Sequence, residues 1–436
     1  MTDDPRTGKD GPAAFPNISW FERLGEIVAS DPEMRVLGRY FEARFAIVCG
    51  GRTILVEIEP ALAFRVVEEP GMEASWDFTL RGEAADWESF LSPVPSALCS
   101  DLLAMNRHSE TFHIEGDRKA LVRHMRGFHR LFQLARRIGY APEESLYDTN
   151  FTGEKPDLSG ISGRYLRLAD GSASEVCFEE AGIGAPLLCL HTAGSDSRQY
   201  RDLMCDEEVT PSWRVIAFDM PSHGRSSPPD GWWEREYRLT TESYASTVMA
   251  FVEALGLDRP VVLGCSMGGA VALELARAYP DGVGAVISLE AASKIEGRFL
   301  DWSILPDAGG SATAAAWTYG LMAPQSPERH RREVFWHYAQ GGPGIYRGDT
   351  FFYGVDWDLR GREEEIDTKK CPVYMMTGEY DHACTPAESR ETARKILGAE
   401  FTEMKGLGHF PMAENYPLFR EYLTPILARI AEARTH

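Results

Sequence analysis

A chain of 436 residues exceeds the usual size of one compact domain, so two are expected. Its formal net charge of -21 excludes nucleic acid as a partner, because binding phosphates takes clustered Lys and Arg. No run approaches the roughly 20 uninterrupted apolar residues that span a bilayer, while a hydrophobic fraction of 44% leaves ample area for a core.

Met1 to Pro16 is polar, rich in Gly and Pro, and lacks an apolar core of the signal-peptide kind. A flexible lead over 1–16 is expected, with no export. The eight cysteines (49, 99, 177, 189, 205, 265, 371 and 384) are scattered without a CxxC pair, and most sit in strand-like runs such as that around Cys189. Buried free thiols in a reducing cytoplasm are expected, with no zinc site and no cofactor. From Asn17 onward, strand-like runs fall at Arg44–Val48, Thr53–Ile58, Ala63–Glu68 and Ser75–Leu80. A long amphipathic helix is expected from Asp117 to Ile138, carrying Leu121, Met125, Phe128, Leu131, Phe132 and Leu134 at helical spacing. These elements form a smaller α+β domain over 17–148, closed by a polar, Gly-rich linker at 149–162.

From Gly163 the rhythm changes. Apolar runs at Leu187–Leu190, Val215–Phe218, Val261–Leu263, Ala285–Leu289 and Val373–Met376 alternate with helical stretches. That pattern implies an α/β fold with a mainly parallel sheet covered on both faces. In such sheets the ligand site lies at the carboxyl ends of the strands.

After Val261–Leu263 the chain reads Gly264-Cys265-Ser266-Met267-Gly268-Gly269, a G-x-S-x-G motif between a strand and the helix expected over Ala270–Tyr279. A serine on a sharp strand-to-helix turn projects its hydroxyl above the sheet, and flanking glycines remove Cβ atoms that would collide. The helix behind it offers free N–H groups to a developing oxyanion. Ser266 is therefore the candidate nucleophile. Serine needs a base, and His409 lies between Gly408 and Phe410 in a loop after the strand-like Glu400–Met404. Asp381 closely follows the strand Val373–Met376 and is the candidate acid. Glu290, ending the preceding strand, is its rival.

The elbow and the order Ser266, Asp381, His409 resemble the α/β-hydrolase fold, and the resemblance covers residues 163–436. It implies a mainly parallel sheet with a helical cap insertion at about 291–368. It also implies an oxyanion hole built from the backbone N–H groups of Ala193 and Met267. His191-Thr192-Ala193-Gly194 occupies the place of the family's His-Gly loop, with Thr192 in a usual Gly position. The Thr192 hydroxyl is a candidate extra donor. Asp219-Met220-Pro221-Ser222-His223-Gly224-Arg225-Ser226 resembles the family's D-x-P-G-H-G-x-S turn, a structural feature, so Asp219 and His223 receive no catalytic role. Relatives with Asp at the elbow, haloalkane dehalogenases and epoxide hydrolases, are excluded. Esterases, lactonases, thioesterases, amidases and carbon–carbon bond hydrolases remain.

The cap region is rich in aromatics, which suggests a mostly apolar small-molecule substrate; Thr192, Trp302, Trp336 and Tyr353 are candidate contacts. Trp76–Leu80, Trp87-Glu88-Ser89-Phe90 and the Phe112–Asp117 run resemble the sterol-carrier-protein-2-like fold over roughly 20–140. That resemblance implies an apolar cavity, a wall for the active-site entrance, or a homodimer interface. Three functions follow: an ester or lactone hydrolase acting through an acyl-enzyme, a carbon–carbon (β-diketone-type) hydrolase with the same triad, or an inert binder of apolar ligands.

Overall fold

A computed structural model describes residues 14–60, 62–139, 155–169, 174–298 and 310–435. Residues 1–13 of the expected lead, 149–154 of the expected linker, and the cap residues Phe299 and Trp302 lie outside them. The chain divides into two compact units, Met1–Asp148 and Thr149–His436.

The first unit opens with helices α1 (Ile18–Ser30) and α2 (Pro32–Leu37). Strands β1 (Ala43–Cys49), β2 (Arg52–Glu59), β3 (Ala63–Glu68) and β4 (Phe78–Gly82) follow, then helices α3 (Ala84–Leu91) and α4 (Leu102–His108). Strand β5 (His113–Gly116) and helices α5 (Arg118–Arg123) and α6 (Met125–Ala135) complete it. The sheet order is β3-β2-β1-β4-β5, with only β1 and β4 parallel. Its core is aromatic: Phe45 stacks on Phe78 at 5.4 Å, and the Phe128 ring meets both edge-on. The fourth strand runs Phe78–Gly82 rather than Ser75–Leu80, because its pairing with β1 begins at Phe45↔Phe78. The expected single helix breaks at His124, whose φ of -115° and ψ of 19° leave the helical region. Leu121, Met125 and Phe128 stay buried on both sides of that break, so their spacing carries no trace of it.

The second unit carries strands β6 (Ser162–Arg167), β7 (Glu175–Ala181) and β8 (Ala185–Leu190), helix α7 (Arg201–Met204), and β9 (Trp213–Phe218). Helix α8 (Thr241–Ala254), β10 (Val261–Cys265), α9 (Met267–Ala278) and β11 (Ala285–Leu289) come next. The cap contributes α10 (Ser311–Tyr319), α11 (Glu328–Ala339) and α12 (Ile345–Phe351), which runs into a π turn at Phe352–Asp356. Strand β12 (Val373–Gly378), α13 (Pro386–Lys395), β13 (Glu400–Met404), α14 (Pro411–Glu414) and α15 (Tyr416–Thr435) finish the chain. The sheet order is β13-β12-β11-β10-β8-β9-β7-β6; its first six strands are parallel, and β7 and β6 join antiparallel.

Alternation along each strand sends side chains to two apolar layers. Leu188, Leu190, Val262 and Val286 pack with Val248 and Phe251 of α8 and Val271 and Leu275 of α9. Leu187, Cys189, Val261 and Ile287 pack on the other side with Leu203 of α7 and Phe419, Leu423 and Ile426 of α15. Both faces are thus covered, and the carboxyl ends of β8, β10, β11, β12 and β13 are left to carry the polar residues. All eight cysteines are free thiols, and six of them are buried. No described helix is long and apolar enough to cross a membrane.

Candidate active site

Strand β10 ends at Cys265, and the next residue turns the chain sharply into α9. Ser266 sits at φ 59° and ψ -116°, a conformation that typically costs a side-chain-bearing residue about 1–3 kcal/mol. The surrounding glycines are steric necessities. A Cβ on Gly264 would lie 2.0 Å from the Gly268 carbonyl oxygen, one on Gly268 2.5 Å from that of Leu190, and one on Gly269 2.2 Å from that of Leu289. The Ser266 N–H donates to the Leu289 carbonyl at 2.9 Å, tying the elbow to the neighbouring strand.

Asp381 and His409 arrive from the ends of β12 and β13. The His409 Nδ1 lies 2.7 Å from Asp381 Oδ2, and both residues are buried. Asp381 Oδ1 accepts the N–H groups of Ala383 (2.7 Å) and Cys384 (3.2 Å), which aims Oδ2 at the imidazole. Burial would raise the Asp381 pKa. The charge and hydrogen bond of His409, together with hydrogen bonds from Glu290 and Ala383, outweigh it and hold the carboxyl below its ordinary value.

Glu290 stands behind Asp381 rather than on the imidazole. Both of its oxygens face the Gly378 N–H, at 3.0 and 3.1 Å. Complete burial and the adjoining Asp381 charge push its pKa well above the carboxylate range, which favours the protonated form as a hydrogen-bonding neighbour of Asp381. Glu290, Asp381 and His409 each offer a ligand-type atom within 4.8 Å of the others. The same lone pairs, however, are engaged in the hydrogen bonds just described.

Glu414, which carries no sequence motif, holds the histidine loop. It accepts the N–H groups on both sides of His409, from Gly408 (2.6 Å) and Phe410 (3.3 Å). It also accepts the Ala323 N–H (3.1 Å) and Ser326 hydroxyl (3.0 Å) of the cap, while the His409 N–H donates to the Leu321 carbonyl at 3.0 Å. Burial raises its pKa to about 7.

The loop after β8 faces the elbow. The Thr192 N–H and hydroxyl both donate to Gln199 Oε1 at 3.1 Å, and the Tyr338 hydroxyl donates to Thr192 Oγ1 at 2.5 Å. This corrects the expectation of an extra oxyanion donor. The only hydroxyl proton of Thr192 goes to an atom that can accept and never donate, and the residue has no exposed surface to offer a substrate. The Gly194 N–H donates to Asp349 Oδ2 at 2.6 Å. Between these two engaged amides, the Ala193 N–H has no acceptor among the described residues, and neither does that of Met267.

Asp349 of α12 is the second residue that sequence reasoning missed. It accepts from Gly194, from His223 Nε2 (2.7 Å) and from the Tyr237 hydroxyl (2.9 Å), and it is fully buried. His223 Nδ1 faces the Pro221 carbonyl at 3.0 Å, so both ring nitrogens meet acceptors, an arrangement that favours the protonated ring. Burial would lower its pKa, but the Asp349 charge and hydrogen bond raise it above 6.5. His191, 4.9 Å away ring to ring, is neutral instead; its Nε2 accepts the Met220 N–H at 3.1 Å, and burial lowers its pKa. Asp219 accepts the N–H groups of Ser197 (2.8 Å) and Arg225 (2.9 Å). Ser222 takes the positive φ, 72°, that a glycine would hold more easily.

Of the expected substrate contacts, Tyr353 is buried at the site. Its hydroxyl donates to the Glu290 carbonyl at 2.7 Å, and Ser266 lies close enough to perturb its ionisation as a hydrogen-bonding neighbour. Trp336 lies on α11 and is 61% exposed. Several cap aromatics, Tyr319, Tyr338 and Phe335 among them, pack with Phe410 in the cap's own core.

The model of the alpha/beta hydrolase fold matches residues 185–416, more than half of the chain. A proline iminopeptidase from Lactobacillus delbrueckii subsp. bulgaricus is 27% identical over 290 residues, covering 61% of this chain and 97% of that protein. A zearalenone hydrolase from Bionectria ochroleuca is 29% identical over 132 residues, covering 30% of this chain and 48% of that one. Among solved structures, an enol-lactonase from Burkholderia xenovorans LB400 superposes with a TM-score of 0.54 at 20% identity, over 61% of this chain and all of its own. An esterase from Thermogutta terrifontis gives 0.53 at 20% identity, over 62% and 99%. With its elbow serine, parallel sheet and cap inside the matched region, the chain belongs to the α/β-hydrolase-fold family.

Proposed function

We propose that the protein is a serine hydrolase that cleaves an ester or lactone bond in a mostly apolar small molecule, through an acyl-enzyme on Ser266. The observation that carries this reading is the strained elbow serine facing strand ends that hold a buried 2.7 Å His409–Asp381 pair. Asp381 keeps the Nδ1 proton on the imidazole, leaving Nε2 as the base that takes the Ser266 proton. The Ser266 oxygen attacks the carbonyl, and the Ala193 and Met267 N–H groups receive the developing oxyanion. His409 then protonates the leaving oxygen, and water, activated by the same imidazole, releases the acid. The buried tyrosines around the elbow, with Met267 and Phe410, support an apolar substrate body.

We read the N-terminal unit as a sterol-carrier-protein-2-like module that handles apolar ligands, supported by its five-stranded sheet with α1 on β3 and α5 on β4. Eight free thiols support a cytoplasmic setting.

The test is acid-quenched turnover of a p-nitrophenyl ester, followed by intact mass. The wild type is expected to carry one acyl group, absent from Ser266→Ala, whose turnover falls by on the order of 10⁴-fold or more. Undiminished hydrolysis by Ser266→Ala contradicts the proposal.

A further inference from the structure

Arg298 lies eight residues beyond Glu290, on the segment that leaves the carboxyl end of β11. Its side chain is buried, with 7% of the residue exposed, yet among the described residues it has no carboxylate partner, and its Nε makes no hydrogen bond. A guanidinium stays protonated at any physiological pH, so its burial demands compensation. The nearby contacts supply little: the ring of Trp317 lies 5.9 Å from its central carbon, and the phenol of Tyr346 is a hydrogen-bonding neighbour.

Among the described residues, the nearby acids Asp349, Asp381 and Glu296 are engaged elsewhere. Asp349 serves His223, Gly194 and Tyr237. Asp381 serves His409, Ala383 and Cys384, and Glu296 pairs with Arg360 at 3.5 Å.

Three tyrosines locate the cation. Tyr338, Tyr346 and Tyr353 all have Arg298 as a charged neighbour. Each also touches the reaction centre. Tyr338 bonds Thr192, Tyr346 crowds Gly194 (2.8 Å from where its Cβ would be), and Tyr353 adjoins Ser266. Through Tyr346, its hydrogen-bonding neighbour, the guanidinium is tied to the loop that carries Gly194.

We propose that Arg298 is the recognition site for a carboxylate carried by the substrate, so that the ester or lactone has a mostly apolar body and one anionic end. A carboxylate presents two coplanar oxygens that match the guanidinium fork, and in a desolvated site this charge-assisted pair discriminates strongly against a neutral isostere. The inference rests on the hydrolase reading above and refines its substrate class.

The experiment compares p-nitrophenyl half-esters of succinate, glutarate and adipate with their neutral methyl diesters, and 4-acetoxybenzoate with phenyl acetate. The first arm places the anion on the acyl side, the second on the leaving group. In at least one arm the wild-type kcat/KM is expected to favour the anionic ester by about tenfold or more. Arg298→Gln collapses that ratio toward one, and Arg298→Lys retains part of it. Equal treatment of both members of every pair by the wild type, or an unchanged ratio in Arg298→Gln, overturns the proposal. Should Arg298→Gln fail to fold, competition in the wild type decides: glutarate inhibits neutral-ester turnover and glutaramide does not, and equal effects overturn it. Loss of all ester turnover by the wild type is a failure of the hydrolase reading. Calorimetric binding of glutarate, weaker in Arg298→Lys, then still reads the anion site, and no binding overturns it.

Discussion

Two carboxyl groups compete for one imidazole, and the hydrogen bonds around them decide between them. Asp381 points its Oδ2 at His409 because two backbone amides hold the other oxygen, whereas Glu290 is turned to Gly378 and burial raises its pKa. Asp381→Asn is therefore expected to lower kcat by about 10⁴-fold, since the amide favours the wrong imidazole tautomer. Glu290→Gln is expected to stay within about tenfold of wild type, because an amide preserves both the donor to Asp381 and the acceptor for Gly378. Steady-state kinetics of the two variants check this; equal losses would make Glu290 a direct partner of the base. Much of this site was legible in the sequence. The elbow serine is marked by glycines that no other residue can replace, and Asp381 and His409 by their places after strands. Thr192, Glu414 and Asp349 were not legible as they stand. What each does depends on a partner far along the chain, 146 residues away for the Thr192–Tyr338 bond and 155 for Gly194–Asp349.

At the scale of elements, Asp349 links three pieces that the sequence presents separately: cap helix α12, the oxyanion loop through Gly194, and the turn bearing His223. The pair it makes with His223 has a defined pH dependence. A histidine whose folded pKa is raised above 6.5 binds more protons folded than unfolded just above that value. Its contribution is complete below pH 6.5 and is lost as pH rises through the raised folded value. Asp349→Asn is expected to cost about 3–5 kcal/mol in urea unfolding at pH 6, because it leaves a buried imidazolium without its counter-charge. The gap to wild type should narrow at alkaline pH. A gap that stays constant from pH 6 to pH 9 would show that the pair is neutral. Elements were read with uneven success for a physical reason. Buried parallel strands announce themselves as apolar runs, so Ala285–Leu289 matched its bounds; Glu400–Met404, a half-buried edge strand, matched through its interleaved polar and apolar residues. Helix α9 begins at Met267, three residues before the expected Ala270, because the elbow leads into it without a separate turn. The break at His124 interrupts no apolar period, and so it left no mark.

For the whole molecule, the proposed chemistry belongs to one of the two compact units. Every residue given a role in the chemistry lies in Thr149–His436, within a sheet whose strand ends converge on one site. Hydrolysis as proposed requires Ser266 to be an activated nucleophile. Intact-mass analysis of the full chain after treatment with an uncharged organophosphonate tests that claim most directly. A single covalent adduct on the wild type and none on Ser266→Ala is the expected result. An unmodified, folded wild type, or an adduct that persists in Ser266→Ala, would contradict it.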